Sequence, residues 1–521
     1  MTPDRRGGIA GTGITLAFLL RYALPGFAGT ALVAVGSLGV GWLPLTTDLL
    51  DWPVVDVLRA STAGLLISRG LIFVGIALLL QAWLVLGYDL LSGVRHGVVE
   101  VGTVLVAWCL PLVAAPPLFS RDMYSYYAQG KLMAAGFDPY ASGVAVIPGW
   151  FQDGVDPMWS ETPTPYGPLF LLIERGVANF AQGQPFLAVL VFRVVALVGV
   201  ALLAVYVPRL AFLHGIDPSK AMWLGVLNPL VVMHFVAGGH NDALMAGLVV
   251  AGLAVAAERH PIWGAVLVAM AASVKPIALL ALPFVGLLWA GARAGWGRRI
   301  VSWVWTVLVA GAAFAATALV AGVGFGWVNA LGTPGEVRTW LSPPTALGMA
   351  LGKTLEWFGV TGAEDLLVGV FRLIGTAAAL VVVAWLCLRP EGRSPVRGAA
   401  LAFLAVVVLG PVVQPWYLLW FLPLFAATGL GRRELRWTIL LTAAFAVHGM
   451  SESSSTSDTL LELTDGISIV AAFAIVGVVL LASPRERRLV LGEAVSHGLH
   501  PEDPPGEARA RQMLVSGPAR T

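Results

Sequence analysis

Long apolar runs follow one another along almost the whole chain, separated by short polar or glycine- and proline-containing breaks. A helix crossing a hydrocarbon core of about 30 Å needs about 20 apolar residues at about 1.5 Å each. By that measure spans are predicted near 23–44, 68–90, 98–118, 184–207, 221–236, 242–257, 261–274, 276–291, 300–321, 366–388, 399–413, 417–429, 437–450 and 466–483, about fourteen in all. Several, such as 261–274 and 417–429, are too short to cross alone. Irregular backbone at membrane depth is tolerated only where protein or a water-filled cavity surrounds it. The breaks at Gly238-Gly239-His240, Val274-Lys275-Pro276 and Val413-Gln414-Pro415 therefore predict a recess. All three fall on the side where Ser120-Arg121-Asp122 emerges from the run 101–119.

Two polar intervals on that side are long, about 119–183 and 322–365. The first is expected to hold two surface-lying helices, around 122–135 and 166–181, because its Tyr, Trp and Pro content suits a segment lying in the interface. Residues 1–22 read as a cytoplasmic N-terminus and 23–483 as one transmembrane catalytic domain. From 484 to 521 the chain turns polar and proline-containing, and a cytoplasmic, disordered tail is expected.

Composition turns this pattern into a class. Of 521 residues, 58% are hydrophobic and 12% charged, and mean hydropathy is +0.82; soluble domains carry about 25% charged residues. The expectation is an all-α polytopic membrane protein whose surroundings are a lipid bilayer, with no nucleic-acid partner. The net charge of +2 says little, but its distribution is informative. With the N-terminus inside, inner loops carry Arg95, Arg209, Arg259, Arg298, Arg393, Arg432 and Arg487, while the outer loop 451–465 has Glu452, Asp458, Glu462 and Asp465 and no Lys or Arg. The positive-inside rule then puts both termini in the cytoplasm of a plasma-membrane protein. Arg5-Arg6 before an apolar stretch looks like an export signal, yet Arg21 interrupts that stretch, so a retained first span is expected. Cys109 and Cys387 lie inside apolar runs and read as packing residues rather than a disulfide or zinc set.

The ionisable residues near the breaks carry the candidate chemistry. Asp122 can serve as a general base or metal ligand, or, with Ser120, as a helix cap. His240-Asn241-Asp242 can bind phosphate or orient a hydroxyl, or simply cap a tight helical hairpin. A zinc site would need more His or Cys than this stretch offers. Arg193, Lys275 and Arg372 sit at awkward depth, where a cation is a functional candidate and a guanidinium matches phosphate; snorkelling is the plain alternative. Tyr166, Gln414, Trp416 and Tyr417 supply aromatic faces and polar groups that suit a sugar, or belong to an ordinary interfacial belt.

Taken together, Arg121-Asp122-Met123-Tyr124-Ser125-Tyr126, Gly136-Phe137-Asp138-Pro139-Tyr140, Thr164-Pro165-Tyr166-Gly167-Pro168, Asn228-Pro229-Leu230, Gly238-Gly239-His240-Asn241-Asp242-Ala243-Leu244-Met245 and Val274-Lys275-Pro276 resemble one family in order. It is that of the actinobacterial polyprenyl-phosphomannose-dependent α-(1→6)-mannosyltransferases, part of the C-type glycosyltransferase superfamily. The likeness covers about 95–290 and, later, mainly Gln414-Pro415-Trp416-Tyr417. It implies a C-type glycosyltransferase architecture and inverting transfer of mannose from polyprenyl-phosphomannose to the mannan of lipomannan and lipoarabinomannan, a glycolipid acceptor, at the outer membrane face. Asp122 would be the catalytic carboxylate. Arg193, His240, Lys275 and Arg372 are then candidates for the donor phosphate. Arg121, Tyr124, Tyr126, Tyr166, Asn241, Asp242, Gln414, Trp416 and Tyr417 are candidates for contact with substrate. Such a donor needs no nucleotide, and a divalent metal is left open. Competing expectations are a related arabinosyl transferase, a secondary transporter, which would also have broken helices but with its site at midplane, and a membrane scaffold.

Overall fold

The computed structural model describes residues 14–451 apart from 329–331, 333–334 and 336, together with 477, 484, 488 and 499. Among the described residues every regular element is helical. The chain runs α1 (Leu16–Val40), the short α2 (Pro53–Arg59), α3 (Thr62–Leu91) and α4 (Val98–Leu112). Two helices follow in the first long interval, α5 (Asp122–Ala134) and α6 (Pro168–Ala181). Next come α7 (Pro185–Leu213), α8 (Pro218–Gly225), the π-wound α9 (Val231–Ala237) and α10 (Asp242–Ala257). The remainder is α11 (Pro261–Ala272), α12 (Pro276–Ala290), α13 (Trp296–Ala321), α14 (Pro343–Trp357), α15 (Ala363–Leu388), α16 (Pro395–Leu409), α17 (Pro415–Thr428) and α18 (Arg432–Ser451). Many of these helices open on proline, whose missing N–H is one that a first turn would leave unbonded anyway.

Each predicted span up to 437–450 coincides with a helix or helix pair, and the first long interval forms helices at the two places expected, but α5 is buried along most of its length rather than lying at the surface. The last span, 466–483, and all but isolated positions of the tail lie outside the described residues. By length and apolarity five helices can cross a membrane, or six if α9 and α10, bent by 116°, form one broken span. The other apolar helices are shorter, so length alone does not reach about fourteen crossings. Two elements are additions, α2 and α14, because neither presents an unbroken apolar run.

Lipid-facing and buried helices separate clearly. α13 and α15 expose Val304, Val307, Leu319, Leu373, Leu380 and Val381 among others, a surface suited to hydrocarbon rather than water. At the opposite extreme, every residue from 221 to 247 is buried. This central segment is also the most broken: α8 ends, Asn228 bonds Leu224 O, Thr442 and the Leu230 N–H, and α9 follows in π geometry. α7 reaches α10 through glycines. A Cβ on Gly199 would stand 2.2 Å from the Ala243 carbonyl carbon, and one on Gly247 2.5 Å from Gly199 O. Such backbone-to-backbone contact is how helices associate where hydrophobic burial gives no drive, and it fixes the start of α10.

Candidate active site

Asp122 is the first residue of α5. Its N–H donates to Ser120 Oγ at 3.0 Å, so the serine satisfies the helix start and the carboxylate is free to turn elsewhere. It meets His240, whose Nδ1 stands 3.1 Å from Asp122 Oδ2. Gly239 makes that meeting possible. Its φ is +63°, and a Cβ there would lie 2.1 Å from Met123 Sδ. Only glycine both adopts the left-handed turn and lets the hairpin press against α5. The His240 ring is held on its face by Trp416, stacked at 3.8 Å and 21°.

Two residues on, Asp242 receives Lys275 Nζ at 2.9 Å on each oxygen, and Trp420 Nε1 donates to Oδ1 at 2.7 Å. Neither carboxylate caps a helix. Tyr417 and Trp420 stack at 3.9 Å, and Lys275 Nζ lies 5.4 and 5.5 Å from their ring centres, within cation–π range. α6 locks this corner: Gly167 N–H donates to Val274 O at 3.0 Å and Phe170 N–H to Ser273 O at 3.1 Å. The three breaks foreseen in the sequence therefore converge on Asp122.

Exposure distinguishes the two pairs. The Asp122 and Lys275 side chains are 22% and 17% exposed, against 0% and 2% for His240 and Asp242. Asp122 and Lys275 are thus the reachable members. Burial pushes the Asp122 carboxyl up, but the His240 bond and charge, with Lys275 and Ser120, outweigh it and hold the group below the usual carboxylate range. It is ionised at neutral pH. Buried polar atoms without partners surround it: His240 Nε2, both side-chain polar atoms of Asn241, and Trp416 Nε1. An unmet buried group costs about 1–3 kcal/mol, so polar atoms without a protein partner are concentrated beside Asp122.

Beyond Lys275 opens a cavity of about 590 Å³, its walls built from Pro165, Pro276, Leu280, Val383, Val406 and Tyr417 among others. Most of its lining is apolar, and Lys275 is the one ionised side chain in it. That combination suits a hydrocarbon chain carrying an anionic head.

The remaining candidates separate into near and far. Tyr126 stands at the centre, its hydroxyl 3.5 Å from Asp122 Oδ2 and accepting the Asn241 N–H at 3.4 Å. Tyr166 packs edge-on against it at 5.4 Å. Burial pushes both phenols well above their usual range, so they stay neutral. Gln414 precedes the first turn of α17, half-buried, and Tyr417 N–H donates to its carbonyl.

Four of the candidates are engaged with other parts of the chain. Arg121 donates to Gly154 O at 2.8 Å and lies over Trp42, and Tyr124 donates to Trp42 O at 2.9 Å; both point away from Asp122 because adjacent helix positions face different ways. Arg193 is fully buried and donates to Val113, Ala115, Val236 and Ala237 carbonyls, pinning together the segments that lead to Asp122 and to His240. Arg372 donates to Thr345 Oγ1 and to the Gly335 and Val337 carbonyls, holding the second long interval against α15. Both guanidiniums thus hold main chain in place. Conversely, Trp420 joins the site without being marked by the apolar pattern, although its position four residues after Trp416 and three after Tyr417 in one short helix is a usable signal. Among the described residues no three His, Cys, Asp or Glu side chains gather as a metal-ligating group.

Compared with known proteins, residues 23–291 match the family model described as Alpha-(1->6)-mannopyranosyltransferase, N-terminal domain, and residues 344–482 match the MptB C-terminal domain. The site draws on both regions. A Mycolicibacterium smegmatis protein named "Probable alpha-(1->6)-mannopyranosyltransferase" is 37% identical over 474 residues, 82% of each chain. Alpha-(1->6)-mannopyranosyltransferase A of Mycobacterium tuberculosis is 35% identical over 445 residues, 82% of this chain and 85% of the relative. The Corynebacterium glutamicum protein of the same name is 31% identical over 413 residues, 74% of this chain and 84% of the relative. No solved structure matches the chain.

Proposed function

This chain belongs to the alpha-(1->6)-mannopyranosyltransferase family, and from that premise we propose that it transfers mannose from polyprenyl-phosphomannose to an α-(1→6)-mannan acceptor of the lipomannan type. The observation that carries the proposal is the meeting of two unlike acid pairs at one recess. Asp122 is reachable and hydrogen-bonded to His240; Asp242 is closed and holds Lys275 at the mouth of the apolar cavity.

The chemistry follows from what each group can do. The acceptor's 6-hydroxyl attacks the anomeric carbon as its proton passes to the Asp122 carboxylate. The bond from C1 to the phosphate oxygen breaks in the same displacement, so a β-linked donor gives an α-linked product. His240 orients Asp122 by donating its Nδ1–H to the carboxylate, which makes Nε2 the acceptor of the ring, while Trp416 Nε1 is a donor. Lys275 stabilises the charge that grows on the departing lipid phosphate, and its pairing with Asp242 fixes where the ammonium sits. The prenyl chain lies in the cavity between α12, α15 and α16. Arg193 and Arg372 act at a distance, by holding backbone.

The lysine- and arginine-rich loops support a plasma-membrane protein with cytoplasmic termini and the site on the extracytoplasmic side. Asp122→Asn keeps the size of the side chain and removes the base. Transfer from polyprenyl-phosphomannose in membranes is expected to fall about a hundredfold or more, at unchanged protein level. Full turnover by this variant would remove Asp122 from the mechanism.

A further inference from the structure

A second cavity, of about 300 Å³, lies at the far end of α5 from Asp122, against the end of α13. Two helix C-termini meet there. α5 closes on Gly136 with φ +83°, and α13 on Gly322 with φ +69°. No atom lies within 4 Å of where a Cβ would sit on Gly136, Gly322 or Gly324, so the main chain faces open space. Phe137, 44% exposed, and Asp138 add an aromatic face and a carboxylate. Arg175 of α6 supplies a cation.

The charge pattern selects the ligand. Each helix C-terminus carries about half a negative charge, only part of it met by the capping turns that bond Lys131, Leu132, Met133, Ala318 and Leu319 carbonyls, and Asp138 adds to it. A phosphate or carboxylate is repelled by three acceptor-rich elements against a single guanidinium. A neutral molecule rich in hydroxyls gives donors to the carbonyls and to Asp138, accepts from Arg175, and lays its C–H face on Phe137. The size is at the small end of ligand pockets, which suits one or two pyranose rings. From Asp122 to the end of α5 is about 18 Å by helix rise, several sugar units away.

Taking the transfer reaction above as its basis, we propose that this cavity is a distal subsite for the acceptor mannan, gripping a mannose unit remote from the one that receives the transfer. α5 then acts as a spacer, with the base at its first residue and the grip at its last. Longer acceptors gain affinity and positioning that short ones lack.

The test uses the full chain in detergent with polyprenyl-phosphomannose and α-(1→6)-mannobiose or α-(1→6)-mannohexaose. In the unaltered protein kcat/KM for the hexaose is expected to exceed that for the biose about tenfold, the fold-change of one charge-assisted hydrogen bond. Phe137→Ala and, independently, Arg175→Ala bring that ratio close to one. A ratio near one in the unaltered protein, or a ratio untouched by both variants, overturns the subsite. Should no transfer occur at all, the functional proposal fails by itself. Saturation-transfer NMR with the hexaose and no donor then decides the cavity separately. Binding that Phe137→Ala abolishes upholds it; absence of binding, or binding indifferent to both variants, overturns it.

Discussion

At the scale of the residue, the pairing of Asp122 with His240 governs how the site responds to pH. Burial alone raises a carboxyl's pKa, and here the His240 bond is the first of the influences that reverse it. A base held below the usual carboxylate range remains ionised as the pH falls through that range, so the acid limb of kcat/KM lies below it. His240→Ala removes the reversing bond and leaves burial in place. The limb is then expected to move to higher pH, with a lower plateau, in rate profiles measured on membranes. An unmoved limb would mean that His240 does not act through Asp122. Asp122, His240 and Lys275 were legible because each is an ionisable residue set beside a break in an apolar run. Arg193 and Arg372 met the same criterion and turned out to hold backbone carbonyls, since depth in a sequence does not tell what a guanidinium will find to bond. Trp420 was hidden by the opposite circumstance: a tryptophan in an apolar run looks like any other.

At the scale of the element, the site depends on helices that stop where they should. α10 begins at Asp242 because Gly238 and Gly239 end the segment before it, and its height is set by the crossing with α7 at Gly199. Gly199→Ala places a methyl against main chain that cannot give way, and overpacking of this kind costs about 1–3 kcal/mol. Gly176, on α6, has nothing within 4 Å of a Cβ, so Gly176→Ala is expected to stabilise by about 0.5–1 kcal/mol through helix propensity. Thermal unfolding of the purified variants should therefore shift in opposite directions, and transfer should fall only for Gly199→Ala, whose crossing positions the histidine hairpin. Equal shifts would show that the crossing has slack. The apolar runs placed nearly all helices to within two turns, including the two in the first long interval. They did not show the π winding of α9, which follows Asn228 and Pro229 in a run that is otherwise mostly apolar, or α14, whose mixed composition follows no run.

At the scale of the whole molecule, the lipid-facing helices and the site are parts of one surface. α15 is the most lipid-exposed of the long helices, with 17% of its apolar window buried, and Leu380 and Val383 on it also line the cavity that ends at Lys275. Under the proposed function, a hydrocarbon chain against α15 would meet this apolar lining, and its head group would have to find the ammonium. Binding energy gathered along the chain is remote from the reacting centre, so it should appear mainly in donor affinity. At about 0.8 kcal/mol per buried CH₂, a few prenyl units suffice to separate long donors from short ones. Val406→Trp fills part of the cavity wall opposite α15. It is expected to raise KM about tenfold for the long-chain donor, while a mannosyl phosphate with a truncated prenyl chain, too short to reach Val406, is used as by the unaltered protein. If both donors suffer equally, the chain does not lie along α15 and α16, and Lys275 would have to receive the phosphate from another direction.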